Sequence, residues 1–130
     1  RKITLRVHLP DSPPLVIGEK NKLHQVLSNL LDNALKFTPT GGTATLSVVI
    51  EENSLQIGVS DTGIGIAKEH HPHIFERFYR VDSSRQYKGT GLGLAIAKHI
   101  IQAHDSDIKI ESHPGKGSTF SFKIPISYSK

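Results

Sequence analysis

Two pairs of strand-like segments constrain the fold of this chain most. Residues 44–50 and 54–60 form the first pair, and residues 107–111 and 118–126 form the second. Only three residues separate the members of the first pair, and six separate those of the second. Connections this short join antiparallel strands, whereas a parallel pair needs a crossover of about a dozen residues or more. The order of the segments therefore argues against a doubly wound parallel sheet.

The longest apolar stripe with helical spacing predicts a helix over residues 21–37. Its members are Leu23, Val26, Leu27, Leu30, Leu31, Ala34 and Leu35. The segment 38–42, with a proline and two glycines, ends this helix. A second long helix follows the glycine-rich segment 89–94, and its predicted inner side carries Leu92, Ile96, Ile100 and Ile101.

Shorter segments complete the predicted architecture. Residues 3–9 are predicted to form a strand, residues 15–17 are a short apolar run, and residues 73–78 are predicted to form a short helix. We therefore expect an α/β (α+β) two-layer sandwich, with a mixed, largely antiparallel sheet covered on one face by about three helices. The other face would remain polar or be covered by a partner. Residues 1–130 form a single domain in this interpretation.

Composition narrows the function classes. The 130 residues include no cysteine, which excludes a disulfide framework, a thiolate zinc site and a cysteine nucleophile, and fits a reducing compartment. No apolar run reaches the ~18 to 20 residues needed to cross a bilayer, so we expect a soluble domain. Sixteen basic and 12 acidic residues give a net charge of +4, which favours nucleic acid, phospholipid and nucleotide alike. Eight aromatic residues are too few to suggest a stacking platform for single-stranded nucleic acid.

Three polar residues share one face of the first predicted helix. Asn29, Asn33 and Lys36 are spaced so that they lie within about 60° of one another and opposite the leucine stripe. An amide oxygen suits Mg²⁺, and a lysine one turn away suits the phosphates that accompany such an ion. The alternative is an ordinary solvated helix face.

The segment Asp61-Thr62-Gly63-Ile64-Gly65 places a carboxylate at the end of a strand and two glycines behind it. A buried carboxylate there would accept a hydrogen bond from an amine, and the glycines would let a flat ligand approach the backbone. Two alternatives are a glycine turn with a solvated aspartate and an aspartic protease, whose sites also carry Asp-Thr-Gly. The protease interpretation leaves the second glycine segment unexplained.

That second segment, Gly89-Thr90-Gly91-Leu92-Gly93, opens the second long helix. Unpaired backbone N–H groups and the helix dipole make such a position a natural anion site. Four basic residues precede it, namely Arg77, Arg80, Arg85 and Lys88. They lie in or beside residues 80–88, which have no apolar period and are predicted to form a mobile loop. The alternative is that they are ordinary surface bases.

Three histidines lie close together at positions 70, 71 and 73. Neutral imidazoles ligate zinc, but three of them within four residues do not easily converge from one short turn. We therefore interpret them as part of a solvated loop.

Four segments, in order along the chain, resemble the sequence boxes of the ATP-binding catalytic domain of sensor histidine kinases, in the GHKL (Bergerat-fold) group. Residues 24–38 are similar to the N box, 61–66 to the G1 box, 74–82 to the F box and 89–94 to the G2 box. The resemblance covers roughly residues 15–126.

The resemblance implies a site for ATP as substrate with Mg²⁺ as cofactor. At matching positions, Asn33 would bind Mg²⁺ with Asn29 beside it, and Lys36 would reach the phosphates. Asp61 would accept a hydrogen bond from the adenine amino group, with Ser118 nearby. The other implied ATP-binding residues are Gly63 and Gly65 under the adenine, Arg80 at the triphosphate, and Gly89, Thr90, Gly91, Leu92 and Gly93 around the lid and phosphates. Residues 80–88 would form the lid, anchored by Phe75 and Phe78.

As a function, the resemblance implies donation of the γ-phosphate of ATP to a histidine on a separate dimerisation and phosphoacceptor domain, in two-component signal transduction. Asn33, Lys36 and Arg80 would be the catalytic residues. ATP-hydrolysing relatives carry a glutamate base four residues before the magnesium-binding asparagine, and this chain has Asn29 there, so fast hydrolysis is not expected. Two alternatives stay open: a nucleotide-binding regulatory module without transfer activity in isolation, and a serine kinase of the anti-sigma type.

The resemblance also implies partners and location. The partner would be the histidine-containing dimerisation domain of the same protein, with a response regulator served indirectly, and with no nucleic acid and no membrane contact by this domain. We expect a cytoplasmic domain of a parent protein that can be membrane-anchored. No segment like His-Glu-Leu-Arg-Thr-Pro is found, so the phosphoacceptor helices are expected upstream of Arg1.

One local departure from the family concerns the end of the second long helix. Relatives usually have two glycines there, whereas this chain reads His104-Asp105-Ser106-Asp107. A left-handed residue at Asp105 or Ser106 would cost roughly 1 kcal/mol more than glycine, and aspartate tolerates it better than serine.

Overall fold

A six-stranded sheet and two α-helices form the part of the chain that the computed structural model describes, residues 3–9, 15–16, 20–77 and 93–127. The elements in chain order are β1 (Thr4–His8), β2 (Leu15–Val16), α1 (Lys20–Phe37), β3 (Thr43–Glu51), β4 (Ser54–Asp61), a 3-10 turn (Lys68–His70), α2 (Gly93–Ala103), β5 (Lys109–Ser112) and β6 (Ser118–Ser127). Neither helix in these ranges has the length and apolar character of a membrane span.

The strand order across the sheet is β1-β3-β4-β6-β2, with β5 also paired to β6. β1 runs parallel to β3, and every other pair is antiparallel. β5 pairs with residues 118–121 of β6 and β2 with residues 126–127, so both lie along the same outer edge of β6. The prediction of a mixed, largely antiparallel sheet built from two hairpins is confirmed.

One hydrophobic core lies between the helices and the sheet. Every predicted stripe residue of α1 faces it, with Val26, Leu30 and Ala34 almost fully buried and the other four partly buried. From β4 and β6, the alternate residues enter the same core, among them Val59, Phe120 and Phe122. Burial of this stripe, more than helix propensity, keeps α1 in place.

The prediction for the inner side of α2 is wrong at one position. Ala97, Ile100 and Ile101 are buried, whereas Ile96 is 37% exposed. At 100° per residue, Ile96 lies nearly a quarter-turn from the middle of the buried face, so it reaches only the border of the core. Leu92 lies outside the described residues.

The predicted short helix over residues 73–78 is also not found over the described part, 73–77. The chain instead forms the 3-10 turn at 68–70 and then consecutive tight turns, in which His73 donates to the carbonyl of His70 and Glu76 to that of His73. Pro72 cannot donate a backbone hydrogen bond, and only Ile74 is fully buried here, so no apolar stripe rewards a regular helix. The described residues therefore contain two α-helices and one 3-10 turn rather than three helices.

The sheet face opposite the helices is polar, which was one of the two expectations for it; the other was a face covered by a partner. Alternate positions of β3, β4 and β6 place half-buried hydroxyl side chains there, and Ser60 and Thr119 form a hydroxyl pair with 2.9 Å between their oxygen atoms.

Helix α2 ends in a left-handed residue that is not glycine. Asp105 has a φ of 60°, its N–H donates to the carbonyl of Gln102, and the N–H of Ser106 donates to that of Ile101. These two bonds are those of a Schellman motif, in which glycine is the usual residue at the position of Asp105. Of the two positions that the sequence left open, Asp105 and Ser106, the left-handed residue is Asp105.

Asp105→Gly should therefore stabilise the domain by about 0.5 to 1 kcal/mol, because it relieves the left-handed strain. The measurement is the free energy of unfolding in urea. Ser106→Gly is the control, since the φ of Ser106 is not positive and the added backbone freedom should lower stability. A lower stability for Asp105→Gly than for the unchanged chain would contradict this account.

Candidate functional site

Asp61 is a buried carboxylate at the end of β4. It is 8% exposed and lies opposite Ser118, the first residue of β6. The backbone N–H of Gly63 donates to its Oδ1 over 2.9 Å, and the N–H of Ser118 also donates to the carboxylate. Burial raises the pKa of Asp61 above its usual 3.8, and these two hydrogen bonds oppose that rise.

The glycines after Asp61 are required by close backbone packing. A Cβ on Gly63 would overlap the carbonyl oxygen of Phe37, at the end of α1. Gly65 has a φ of 74°, and a Cβ there would overlap the carbonyl oxygen of His113. The sequence suggested that these glycines make room for a flat ligand, whereas the structure fills that space with protein. Their contact with an adenine ring stays a prediction.

A second layer of hydrogen bonds lies behind the Asp61 segment. The buried hydroxyl of Ser112, the last residue of β5, accepts from the N–H of Ile66 over 2.7 Å and lies 2.7 Å from the hydroxyl of Ser118. The N–H of Gly115 donates to the carbonyl of Ile64 over 2.8 Å. Ser112 gave no signal in the sequence, because a serine before a proline and glycine turn has the composition of an ordinary loop.

The polar face of α1 joins this segment to the start of α2. The N–H of Ile64 donates to the carbonyl of Phe37 over 3.3 Å, which fixes the end of α1 against the loop after Asp61. About two turns before Phe37, the half-buried Asn29 donates through Nδ2 to the carbonyl of Gly93, the first residue of α2, over 3.2 Å. The structure thus joins Asn29, in the middle of α1, to Gly93, and the end of α1 to the loop after Asp61.

Asn33 and Lys36 lie on the same helix, with Asn33 half-buried and Lys36 exposed. No described residue forms a hydrogen bond with the side chain of Asn33. Its amide oxygen is a hard ligand and is left available, so this residue fits the predicted Mg²⁺. The other predicted site residues, Arg80, Gly89, Thr90, Gly91 and Leu92, lie outside the described residues, as do Phe78 and the predicted lid at 80–88.

Comparison with known proteins shows the family of this chain. Residues 18–128 match the family model described as histidine kinase-, DNA gyrase B- and HSP90-like ATPase. The chain belongs to this ATPase family. It is 49% identical over 122 residues to the sensor histidine kinase WalK of Bacillus subtilis, and the match covers 91% of this chain and 20% of WalK.

Solved structures place the chain among sensor histidine kinases. The mycobacterial sensor histidine kinase MprB superposes with a TM-score of 0.84 at 30% identity, covering 95% of this chain and 84% of the MprB chain. Full-length ShkA in complex with AMPPNP superposes with a TM-score of 0.84 at 28% identity, covering 98% of this chain and 27% of ShkA. The predicted family, fold and type of domain, the ATP-binding catalytic domain of a sensor histidine kinase, are confirmed. The chain spans about a fifth of the length of WalK and about a quarter of that of ShkA.

Phe75, a predicted anchor of the lid, makes two contacts with the rest of the domain. Its ring forms a T-shaped contact with the buried ring of Phe120, with 6.1 Å between centroids. The Nζ of Lys98 lies 4.6 Å from the Phe75 ring centroid and 3.1 Å from a carboxylate oxygen of Asp107. This cation–π contact was not predicted, because no sequence period links α2 to residue 75.

Of the histidines at 70, 71 and 73, the last two form side-chain contacts within their own loop. The Nε2 of His71 lies 3.0 Å from the carbonyl oxygen of Ile66, and His73 pairs with Glu76 over 2.9 Å. Over the described ranges, no group of three or more histidine, cysteine or acidic side chains is arranged to hold a metal ion.

A cleft at the opposite end of the sheet has the wrong charge for a polyphosphate. Its lining includes Glu51, Glu52 and Asp105, with Lys123 as the basic residue. Lys123 already pairs with Glu51 over 3.3 Å. Negative charge prevails there, so this cleft does not suit a nucleotide.

The raised pKa of Asp61 gives a pH dependence of known sign. The folded domain binds this proton more tightly than the unfolded chain does, so the contribution of Asp61 to the free energy of unfolding falls as the pH rises from 3.8 through the folded-state pKa. We expect the unchanged domain to gain stability relative to Asp61→Asn as the pH is lowered from 7 towards about 4. Urea unfolding of both proteins across this range measures the difference. A relative loss of stability in acid would show that the two N–H groups outweigh burial.

Proposed function

We propose that this domain binds ATP with Mg²⁺ and donates the γ-phosphate to a histidine on a separate dimerisation and phosphoacceptor domain, in two-component signal transduction. The observation that carries the proposal is the buried Asp61 carboxylate. Burying an ionised group costs free energy, and a buried carboxylate with a raised pKa is a candidate for ligand binding. The membership of the chain in the ATPase family supports the same assignment.

In this proposal, Asp61 recognises the adenine ring. Two backbone N–H groups already occupy part of the carboxylate, and its remaining lone pairs accept from the amino group of adenine. A guanine or hypoxanthine ring presents a carbonyl oxygen at the equivalent position, and two acceptors facing each other repel. ShkA, whose fold this chain shares, was solved with the ATP analogue AMPPNP.

In the same proposal, the phosphates bind against the polar face of α1. The amide oxygen of Asn33 holds Mg²⁺ with Asn29 beside it, and Lys36 reaches the phosphate oxygens. When bound, Mg²⁺ neutralises charge on the triphosphate. Arg80 and the segment from Gly89 to Gly93 complete the phosphate site, as the family resemblance implies.

Phosphoryl transfer suits these residues better than hydrolysis. An imidazole nitrogen of the acceptor histidine forms a bond to the γ-phosphorus, and the bond from that phosphorus to the bridging oxygen breaks, so that ADP leaves with the electron pair. Positioning and charge neutralisation supply most of the catalysis in such a transfer. Asn29 is no general base, so water is not activated at the position where hydrolysing relatives have glutamate.

The same proposal assigns the partners. The phosphoacceptor domain belongs to the same longer protein, a response regulator receives the phosphate from it, and the domain works in the cytoplasm without touching nucleic acid or membrane. The cysteine-free composition fits that compartment.

Asp61→Asn should weaken ATP binding at least tenfold, because a carboxylate hydrogen bond to the base is lost and an amide group can present a donor to the adenine amine. Asn33→Ala should reduce the dependence of ATP affinity on Mg²⁺. Titration calorimetry with ATP, with and without Mg²⁺, measures both. Asp32→Asn is the matched control, since it removes the same charge from an exposed position on α1. Unchanged affinity in both Asp61→Asn and Asn33→Ala would refute the site.

Phosphoryl transfer is tested in a separate experiment. The domain, mixed with its own phosphoacceptor domain and ATP labelled at the γ-phosphate, should label that domain on histidine, and Asn33→Ala should abolish labelling. Good ATP binding without labelling would favour the regulatory module, and label on serine would favour the anti-sigma type of kinase.

A further inference from the structure

The Ser112 hydroxyl has every hydrogen-bonding position occupied. Ser112 is 4% exposed, and its Oγ accepts from the N–H of Ile66 over 2.7 Å and donates to the carbonyl of Gly117 over 3.1 Å. A hydroxyl has one proton and two lone pairs. The remaining lone pair faces the hydroxyl of Ser118 at 2.7 Å.

One arrangement of protons satisfies all three contacts of the Ser112 hydroxyl. In it, Ser112 gives its single proton to the carbonyl of Gly117, and Ser118 gives its proton to Ser112. The hydroxyl of Ser118 then offers only lone pairs to any other group. Its backbone N–H meanwhile donates to Asp61, so one residue supports the carboxylate and presents a second acceptor beside it.

Ser112 also joins the two segments whose N–H groups hold Asp61. One is the loop from Gly63 to Ile66, in which the N–H of Ile66 donates to the Ser112 hydroxyl. The other is the start of β6, which it contacts at Gly117 and Ser118. A Cβ on Gly117 would overlap the carbonyl oxygen of Asp61, so these segments are packed too closely to shift independently.

We propose that Ser112 is a positioning residue for base selection: it aims the Asp61 carboxylate and orients the Ser118 hydroxyl as an acceptor, so that the site selects a purine with an amino group. Ser112 touches no nucleotide in this role. The proposal rests on ATP binding at Asp61, as assigned above, and adds the buried residue that sets the polarity of the site.

The test compares ATP with inosine triphosphate, which has a carbonyl in place of the amino group, by titration calorimetry on the full chain. The unchanged chain should prefer ATP by tenfold or more. Ser112→Ala frees the Ser118 proton to donate to that carbonyl, so this preference should fall about tenfold while affinity for inosine triphosphate is kept or improved. Ser112→Thr, which restores the hydroxyl, should restore the preference.

Ser60→Ala is the matched control. It removes the other hydroxyl pair between β4 and β6, the 2.9 Å contact with Thr119, on the opposite sheet face. Its preference for ATP should equal that of the unchanged chain. If Ser112→Ala does not fold, Ser112→Cys fills the same space with a much weaker hydrogen-bonding group and should show the same fall in preference.

The outcomes separate the two proposals. If the unchanged chain binds neither nucleotide, the proposed function fails. If it prefers ATP and the Ser112 variants keep that preference, or lose affinity for both nucleotides equally, the role of Ser112 in base selection is overturned and only a structural role is left.

Discussion

The carboxylate of Asp61 is held below the surface where β4 ends, against the cost of burial, by the backbone N–H groups of Gly63 and Ser118. That arrangement depends on three stretches of backbone that approach within contact: the end of α1, the loop after Asp61, and the turn between β5 and β6. Glycines permit the approach, and any side chain at Gly63 or Gly117 would push the segments apart. The sheet and helices hold these stretches in place, because the antiparallel register of β4 and β6 places Asp61 directly opposite Ser118.

Helix α1 is one rigid element that connects the proposed base site at Asp61 with the proposed phosphate site on its own polar face. Its apolar side is buried in the core, which fixes its rotation and therefore the direction of Asn29 and Asn33. Its last carbonyl binds the loop after Asp61, and Asn29 binds the first residue of α2. In the proposed site, a nucleotide that reaches from Asp61 to Asn33 would contact groups whose separation is set by packing, the preorganisation that phosphoryl transfer requires.

Local features and family motifs of this fold are predictable from the sequence, whereas its long-range pairing is not. The hairpins, the stripe of α1 and the left-handed Asp105 follow from periodicity and turn chemistry, which act over a few residues. The parallel pairing of β1 with β3, the position of β2 at the opposite edge, and the contacts of Ser112 and Lys98 join residues far apart in the chain, and no period encodes them. The predictions for Ile96 and for the helix at 73–78 were wrong. They relied on the spacing of apolar residues, and the folded chain does not bury these positions as that spacing requires.

The central claim is that a nucleotide binds against Asp61 rather than elsewhere on the sheet. The most direct measurement is a ¹H–¹⁵N spectrum of the domain as ATP and Mg²⁺ are added. The amides of Gly63 and Ser118, which hold the carboxylate, should show large shifts, and those of Glu52 and Asn53 at the opposite end should stay in place. Shifts confined to the Glu52 end, or no shifts at Gly63 and Ser118 on saturation with ATP, would contradict the account.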